Sequence, residues 1–225
     1  MATPAQPAAS APTDRGDDET FLRVLDEAHG VMGCLGVPYM SIGGIASSVW
    51  GRARWTHDID FFVRPEDART VLDALAGVGF ETREEYPHWL YKAFKDDVLV
   101  DIIFRSTRDI LMDDEMIRRA VLLDFRGRTL PIAPPEDVVI MKAIASGEDT
   151  PRYWYDALAI IANASDLDWD YLLRRARQHG ARRVLSLLLY AQSNDQVVPS
   201  WAVEELFEAI RSDPRQRVRH PRAVG

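Results

Sequence analysis

The run Ser41-Ile42-Gly43-Gly44-Ile45-Ala46-Ser47-Ser48-Val49-Trp50-Gly51-Arg52-Ala53-Arg54-Trp55-Thr56-His57-Asp58-Ile59-Asp60-Phe61-Phe62-Val63 decides how this chain reads. Residues 37–42 have the composition of a short strand. Gly43 and Gly44 break it and open a helix over 45–50, which Gly51 closes. Two glycines between a strand and a helix let backbone N–H groups approach a phosphate closely, at the positive end of the helix dipole. Residues 59–63 are rich in β-formers. Asp58 and Asp60 stand two apart on that strand, so both carboxylates share one face while Ile59 points to the core. Carboxylates side by side repel one another unless a cation neutralises them. Hard oxygen ligands at that spacing suit Mg²⁺, which binds through one or two carboxylates plus substrate phosphates.

A third acid extends the pattern. Asp101 opens the apolar run Asp101-Ile102-Ile103-Phe104, where a charge is otherwise out of place. On an antiparallel neighbour of the Asp58–Asp60 strand it completes a three-carboxylate site.

Outward from this stretch, apolar residues recur at helical spacing over 19–35, and a helix over 65–77 begins with Pro and acids at its positive end. Strands over 89–94 and 99–104 flank Lys95-Asp96-Asp97, and strands over 121–125 and 129–132 flank Arg126-Gly127, both read as hairpins. After Pro134-Pro135 the period becomes helical for good, with helices over 136–146, 152–163, 168–179, 181–193 and 200–211. The fold class is therefore α+β: a mixed β-sheet core over 17–133 followed by a helical region over 134–212. The segment 1–16, mostly Ala, Pro, Ser, Thr and Gln, reads as a disordered tail, and 213–225 as a basic flexible one.

Bulk properties exclude several classes. Hydrophobic content of 47% with 28% charge over 225 residues belongs to a globular protein with a proper core. No apolar run is long enough for a membrane span, and the start of the chain does not read as a secretory signal. The single Cys34 rules out an internal disulfide, fits a reducing cytoplasm, and reads as a small buried hydrophobe. No Gly-Lys-Ser/Thr loop, zinc-ligand spacing or Gly-x-Ser-x-Gly elbow occurs. The net charge of −8 is uneven: residues 1–170 carry 17 Lys+Arg against 30 acids, and residues 171–225 carry 10 Arg against 5 acids. An acidic part suits divalent cations, and a basic part can meet phosphate or nucleic acid.

Among the remaining candidates, Arg54 and Thr56 lie beside the acids, where they hold phosphate or pair with Asp58. His57 reads as a structural or surface residue. Arg152 and Asp156 are placed for an i,i+4 ion pair. Asp113-Asp114-Glu115 reads as a helix start with its cap. Tyr153, Trp154, Tyr155 and Trp169 can stack a base, although aromatics at helix starts are more often core.

The Gly43-Gly44 helix, the Arg54-x-Thr56-x-Asp58-Ile59-Asp60 run and the later strand Asp101 resemble the nucleotidyltransferase superfamily of the DNA polymerase β type. Within it, the likeness is to the minimal bacterial branch of AbiEii/MenT-like toxins and small antibiotic nucleotidyltransferases. Pro135-Glu136-Asp137-Val138-Val139-Ile140-Met141-Lys142-Ala143 is similar to that family's helix carrying a nucleotide-contacting Lys. Arg152-Tyr153-Trp154-Tyr155-Asp156 resembles its basic residue and Asp at a helix start. The resemblance covers residues 37–160.

It implies a two-metal transfer of a nucleoside monophosphate from an NTP to an acceptor hydroxyl. Asp58 and Asp60 bridge two Mg²⁺ ions (Mn²⁺ serving as well), and Asp101 ligates one of them and aligns the acceptor. Gly43, Gly44 and the Ser41 hydroxyl cradle the phosphates, while Lys142, Arg54, Thr56 and Asp156 join the nucleotide site. The acceptor is left open between RNA such as a tRNA end, protein, and a small antibiotic. Arg174, Arg175, Arg177, Arg182 and Arg183 motivate the RNA version. A toxin of this branch implies a cognate antitoxin as partner; a non-catalytic binding partner of the same fold is the remaining alternative.

Overall fold

In the computed structural model, residues 15–212 are described. The tails expected at the two ends lie outside that range, except that Arg15 and Gly16 already belong to the first helix. In chain order the elements are α1 (Arg15–Leu35), β1 (Tyr39–Ser41), α2 (Gly43–Trp50), β2 (Asp58–Val63), α3 (Pro65–Gly77), β3 (Glu81–Tyr86), β4 (Leu90–Lys95) and β5 (Val98–Ile103). There follow α4 (Asp114–Arg119), β6 (Val121–Phe125), β7 (Arg128–Ile132), α5 (Pro135–Ala145), α6 (Pro151–Asn163), α7 (Trp169–His179), α8 (Ala181–Ser193) and α9 (Ser200–Ser212). No helix among the described residues is long and apolar enough to cross a membrane.

The strands form one mixed sheet in the order β3-β4-β5-β2-β1-β7-β6. Its middle is apolar: Val100 and Ile102 of β5 and Ile59 and Phe61 of β2 are fully buried. Alternation along β5 leaves Leu99, Asp101 and Ile103 only partly covered, as period-two geometry requires when one face is packed and the other opens on a site. Helices α1 and α3 pack together on the covered side of β3, β4 and β5. On α1 the buried stripe is Phe21, Val24, Leu25, Ala28 and Met32, an i, i+3, i+4 pattern that leaves Cys34 off the stripe. Cys34 is exposed, contrary to the expectation of a buried thiol.

Both hairpins form as the sequence indicates. Asp96 and Asp97 take φ of 49° and 62°, and Arg126 and Gly127 take 53° and 81°, the left-handed pairs that match the twist of two-residue hairpin turns. Asp113 caps α4 by accepting the Met116 N–H at 2.8 Å, also as expected. Strand β3 went unread because Glu81-Thr82-Arg83-Glu84-Glu85-Tyr86 has no apolar alternation. It is an edge strand, and its charges discourage pairing with another chain.

One topological expectation is corrected. Strand β5 runs parallel to β2, with Asp60 beside Asp101 in register, and not antiparallel. After β2 the chain crosses back through α3, then folds β3, β4 and β5 as an antiparallel meander, so β5 regains the direction of β2. The adjacency of the two acids survives the change of direction.

The second half is a helical bundle centred on α5, which contacts α6, α7 and α8 and also α2 of the first half. From Glu136 to Ile144 every residue of α5 is buried, so its charged side chains need partners. Glu136 accepts the Asp168 N–H at 2.7 Å. Asp137 accepts the Tyr171 hydroxyl at 2.5 Å and Arg175 Nε at 2.7 Å. The third charge, Lys142, faces the other way, toward the start of β2.

Candidate functional site

The site is built where α2 meets the first residues of β2. Gly43 begins α2 with φ of +57°, and a Cβ atom placed there would lie 1.8 Å from Asp60 Oδ2. A Cβ on Gly44 would lie 2.1 Å from Thr56 Oγ1. The glycines therefore admit the side chains of the acidic strand beneath the helix, a reason that the phosphate-loop reading of the sequence did not supply. The Gly44 N–H donates to Asp60 Oδ2 at 3.3 Å, and Thr56 Oγ1 donates to Asp58 Oδ1 at 2.7 Å. Ile42 precedes the helix in extended conformation and offers no side-chain cap. The first N–H groups of α2 consequently point at the acidic pair and the space in front of it.

The opposite wall comes from α5, α6 and the segment before β2. Gly43, Gly44, Arg54, Asp58, Asp60, Ile103, Ser106, Val138, Met141, Lys142, Arg152 and Tyr153 line one pocket. Arg54 forks onto Asp156, donating Nε to Oδ1 at 3.1 Å and Nη2 to Oδ2 at 2.9 Å. Lys142 Nζ lies 3.3 Å from the same Oδ2 and 4.3 Å above the Tyr153 ring. The pair expected between Arg152 and Asp156 does not form. Asp156 turns inward to Arg54, 102 residues earlier in the chain, while Arg152 stays exposed at the pocket mouth. Arg54 likewise pairs with Asp156 and not with Asp58.

Electrostatics separate the three acids. Asp60 is pushed up to about 7, first by burial and then by the negative charges of Asp58 and Asp101; Lys142 and the Gly44 N–H oppose the rise. Burial also raises Asp101, and Lys92 counters it from 3.4 Å. Asp101 Oδ1 is buried without a hydrogen bond; the contact with Lys92 is an ion pair without hydrogen-bond geometry. Burial lowers Lys142, and Asp156 and Asp60 pull it back toward the charged form.

A divalent cation fits this arrangement on those grounds. Asp58 and Asp60 project into one pocket, where burial first and then the charges of Asp58 and Asp101 hold Asp60 above its ordinary value. Among the described residues no three or more His, Cys, Asp or Glu side chains are assembled as a metal cage. The donor set the chain offers is thus a carboxylate pair awaiting further oxygens. That matches Mg²⁺, which takes one or two carboxylates and completes its shell with waters and phosphates.

The structure brings together Gly43, Gly44, Arg54, Asp58, Asp60 and Lys142 in the pocket lining, with Thr56 and Asp156 directly behind them. Asp101 stands beside Asp60 but outside the lining. Ser41 is elsewhere: its hydroxyl is fully buried, has no hydrogen-bond partner and does not face the pocket. His57 is exposed, and its Nδ1 accepts from Trp55 Nε1 at 3.0 Å. Ile103, Val138 and Met141 also line the pocket, and Ser106 with them; apolar strand and helix residues and a lone loop serine carry no local mark of facing a site. Tyr153 was legible only as an aromatic at a helix start.

Among the described residues, the arginines of α7 and α8 already have partners. Arg174 pairs with Glu115 at 2.5 Å, Arg175 is buried between Asp137 and Asp113, and Arg177 pairs with Glu205. Arg183 donates to the Ser146 carbonyl and packs on Trp154, and Arg182 is likewise engaged.

Comparison with known proteins agrees with this architecture. A family model described as uncharacterised nucleotidyltransferase matches residues 50–194. The antibiotic-resistance factor ANT(2'')-Ia is similar in structure, with a TM-score of 0.50 and 15% identity over 85% of this chain and 98% of that one. The lincosamide antibiotic adenylyltransferase LnuA, bound to lincomycin, has a TM-score of 0.45 and 15% identity over 64% of this chain and 97% of that one. No curated protein matches the sequence.

Proposed function

As the chain belongs to the nucleotidyltransferase family whose model spans residues 50–194, we propose that it moves a nucleoside monophosphate from an NTP to an acceptor hydroxyl, using Mg²⁺. The observation that carries this reading is the facing of Asp58 and Asp60 to Arg54 and Lys142 across one pocket. A carboxylate pair for a metal and a cationic wall for a triphosphate are the two charges that nucleotidyl transfer must manage.

Asp58 and Asp60 hold the metal, with Thr56 fixing Asp58 and the Gly44 N–H fixing Asp60. Bound Mg²⁺, or Mn²⁺ in its place, supplies charge neutralisation and polarises the phosphoryl oxygens. The N–H groups that open α2 receive the phosphates, while Lys142 and Arg54 offset the charge that builds on the departing pyrophosphate. The acceptor oxygen bonds to the α-phosphorus as the bond to the bridging oxygen of the β-phosphate breaks. Asp101, beside Asp60 on β5, would align the acceptor hydroxyl and take its proton, with Lys92 opposing the rise that burial imposes on it. The Tyr153 ring at the pocket mouth offers a face to the base.

For the acceptor, we favour a small molecule over RNA. Nucleic acid is held chiefly by Lys and Arg contacts to phosphate, and the described arginines that suggested RNA already have partners on the protein itself. The test is incubation with each α-labelled NTP and Mg²⁺ against tobramycin, lincomycin, total tRNA and protein. Label on a small molecule with release of pyrophosphate is the expected result. Label on tRNA or protein overturns the acceptor class and revives the toxin-like reading with its antitoxin. No label on any acceptor, with any NTP, removes nucleotidyl transfer and leaves a non-catalytic binding role.

A further inference from the structure

Asp156 touches both Arg54 and Lys142, two of the cations of the pocket wall, yet it is not part of that wall. It is buried (8% exposed), and the pocket is lined by its two partners and not by itself. Both of its oxygens are spent: Oδ1 on Arg54 Nε, and Oδ2 on Arg54 Nη2 and Lys142 Nζ. A carboxylate so engaged has both oxygens turned to the two cations and away from the pocket. We propose that Asp156 is a positioning residue: it never touches the nucleotide, and it holds Arg54 and Lys142 together, charged and aimed, so that both meet the triphosphate.

Arg54 and Lys142 need such a clamp because they reach the site from unrelated places. Arg54 stands on the stretch between α2 and β2, where residues 52–56 have no regular structure to fix a long side chain. The two-pronged contact with Asp156 sets the plane of its guanidinium, and Nη1 is tied to the Trp55 carbonyl at 3.0 Å. Lys142 has the opposite difficulty. Helix α5 presents it rigidly but in a buried position, where an ammonium tends to shed its proton. Asp156 at 3.3 Å and the Tyr153 ring at 4.3 Å give that ammonium the company it needs. The result is two donors fixed before substrate arrives, so that little reorganisation is left for the bound state. Direct binding of nucleotide by Asp156, expected from the sequence, is replaced by an indirect role.

The inference rests on the nucleotidyl-transfer reading, and the experiment keeps the two apart. Full-length wild type, Asp156→Asn and Asp156→Ala are compared in NTP and acceptor titrations, in binding of inorganic tripolyphosphate by calorimetry, and in thermal melting. In Asp156→Asn we expect the KM for NTP to rise about tenfold or more and tripolyphosphate affinity to fall by a similar factor, with the acceptor KM unchanged. Formate or acetate should restore part of the lost NTP affinity in Asp156→Ala by returning a carboxylate to the space between the cations. A purely structural role would lower the folded fraction and the apparent kcat while leaving the KM for NTP at its wild-type value, and that outcome overturns the proposal. If Asp156→Asn does not melt cooperatively, Asp156→Glu carries the same test, because it keeps the charge and shifts its seat by one methylene. Wild type that neither transfers nucleotide nor binds tripolyphosphate would instead refute the reading on which the proposal stands.

Discussion

A Cβ atom on Gly43 would lie 1.8 Å from Oδ2 of Asp60. The helix start and the acidic strand are that close because the first of them has no side chain, and the same residue takes φ of +57°. Gly43→Ala must therefore move the Asp60 carboxylate or the helix, and it adds backbone strain besides. We expect a stability loss of about 1–3 kcal/mol and a fall in transfer rate of about a hundredfold or more, by misplacement of a metal-binding group. Melting temperature and single-turnover rate measured on one preparation check both. Unchanged transfer by the alanine variant would mean that Asp60 need not sit where the structure puts it.

Asp60 makes the metal-free protein sensitive to pH. Its native value of about 7 lies above its ordinary 3.8, so the native state keeps a proton that the unfolded chain has lost. Stability is then greatest near and below the lower value and declines as pH rises through the interval to about 7. Asp60→Asn should raise the stability of the metal-free protein at pH 8 by about 1 kcal/mol or more, a shift of a few degrees in Tm. Mg²⁺ must displace that proton, so its stabilising effect should be larger at pH 8 than at pH 6. Melting curves across pH with and without Mg²⁺ provide the check.

Lys92 and Asp101 face each other at 3.4 Å on neighbouring strands, in register. Burial raises Asp101 and Lys92 restrains the rise. Removing the ammonium in Lys92→Met should move the acid limb of the pH–rate profile upward, with Lys92→Arg restoring most of it. A profile that does not move would show that the ionisation of Asp101 is not in the rate-limiting path.

Arg175 offers a contrast, because its role is structural. It is buried between Asp137 at 2.7 Å and Asp113 at 2.7 Å. Arg175→Met leaves Asp137 as an unpaired charge inside the bundle and should cost about 3–5 kcal/mol. Tyr171→Phe, losing one hydrogen bond to the same carboxylate, should cost about 1–2 kcal/mol. The folded fraction of each variant should keep the wild-type KM for NTP. A selective loss of nucleotide binding would contradict the assignment.

What the sequence made legible follows the range of the forces involved. Gly43-Gly44, Asp58 and Asp60 are close in the chain, and strand alternation alone puts the acids on one face. Both hairpins could be read from Asp96-Asp97 and Arg126-Gly127, because turn conformation is a local property. The direction of β5 was misread, since it depends on how many strands intervene and β3 carries no apolar alternation to announce itself. Asp156 was seen but given the wrong partner: its contact with Arg54 depends on how α6 packs against the segment before β2. The arginines of α7 looked like a surface for RNA because their acids, Glu115, Asp113, Asp137 and Glu205, lie far away or on other elements.

On this reading Asp58 and Asp60 carry a metal-dependent nucleotidyl transfer. Its most direct test is pyrophosphate release from each NTP with Mg²⁺ and an acceptor that wild type labels, compared among wild type, Asp58→Asn and Asp60→Asn. We predict pyrophosphate in step with labelled acceptor for wild type, and a loss of about a thousandfold or more in either variant while both remain folded. Transfer that persists in the two variants, or proceeds equally well in excess EDTA, would contradict the claim.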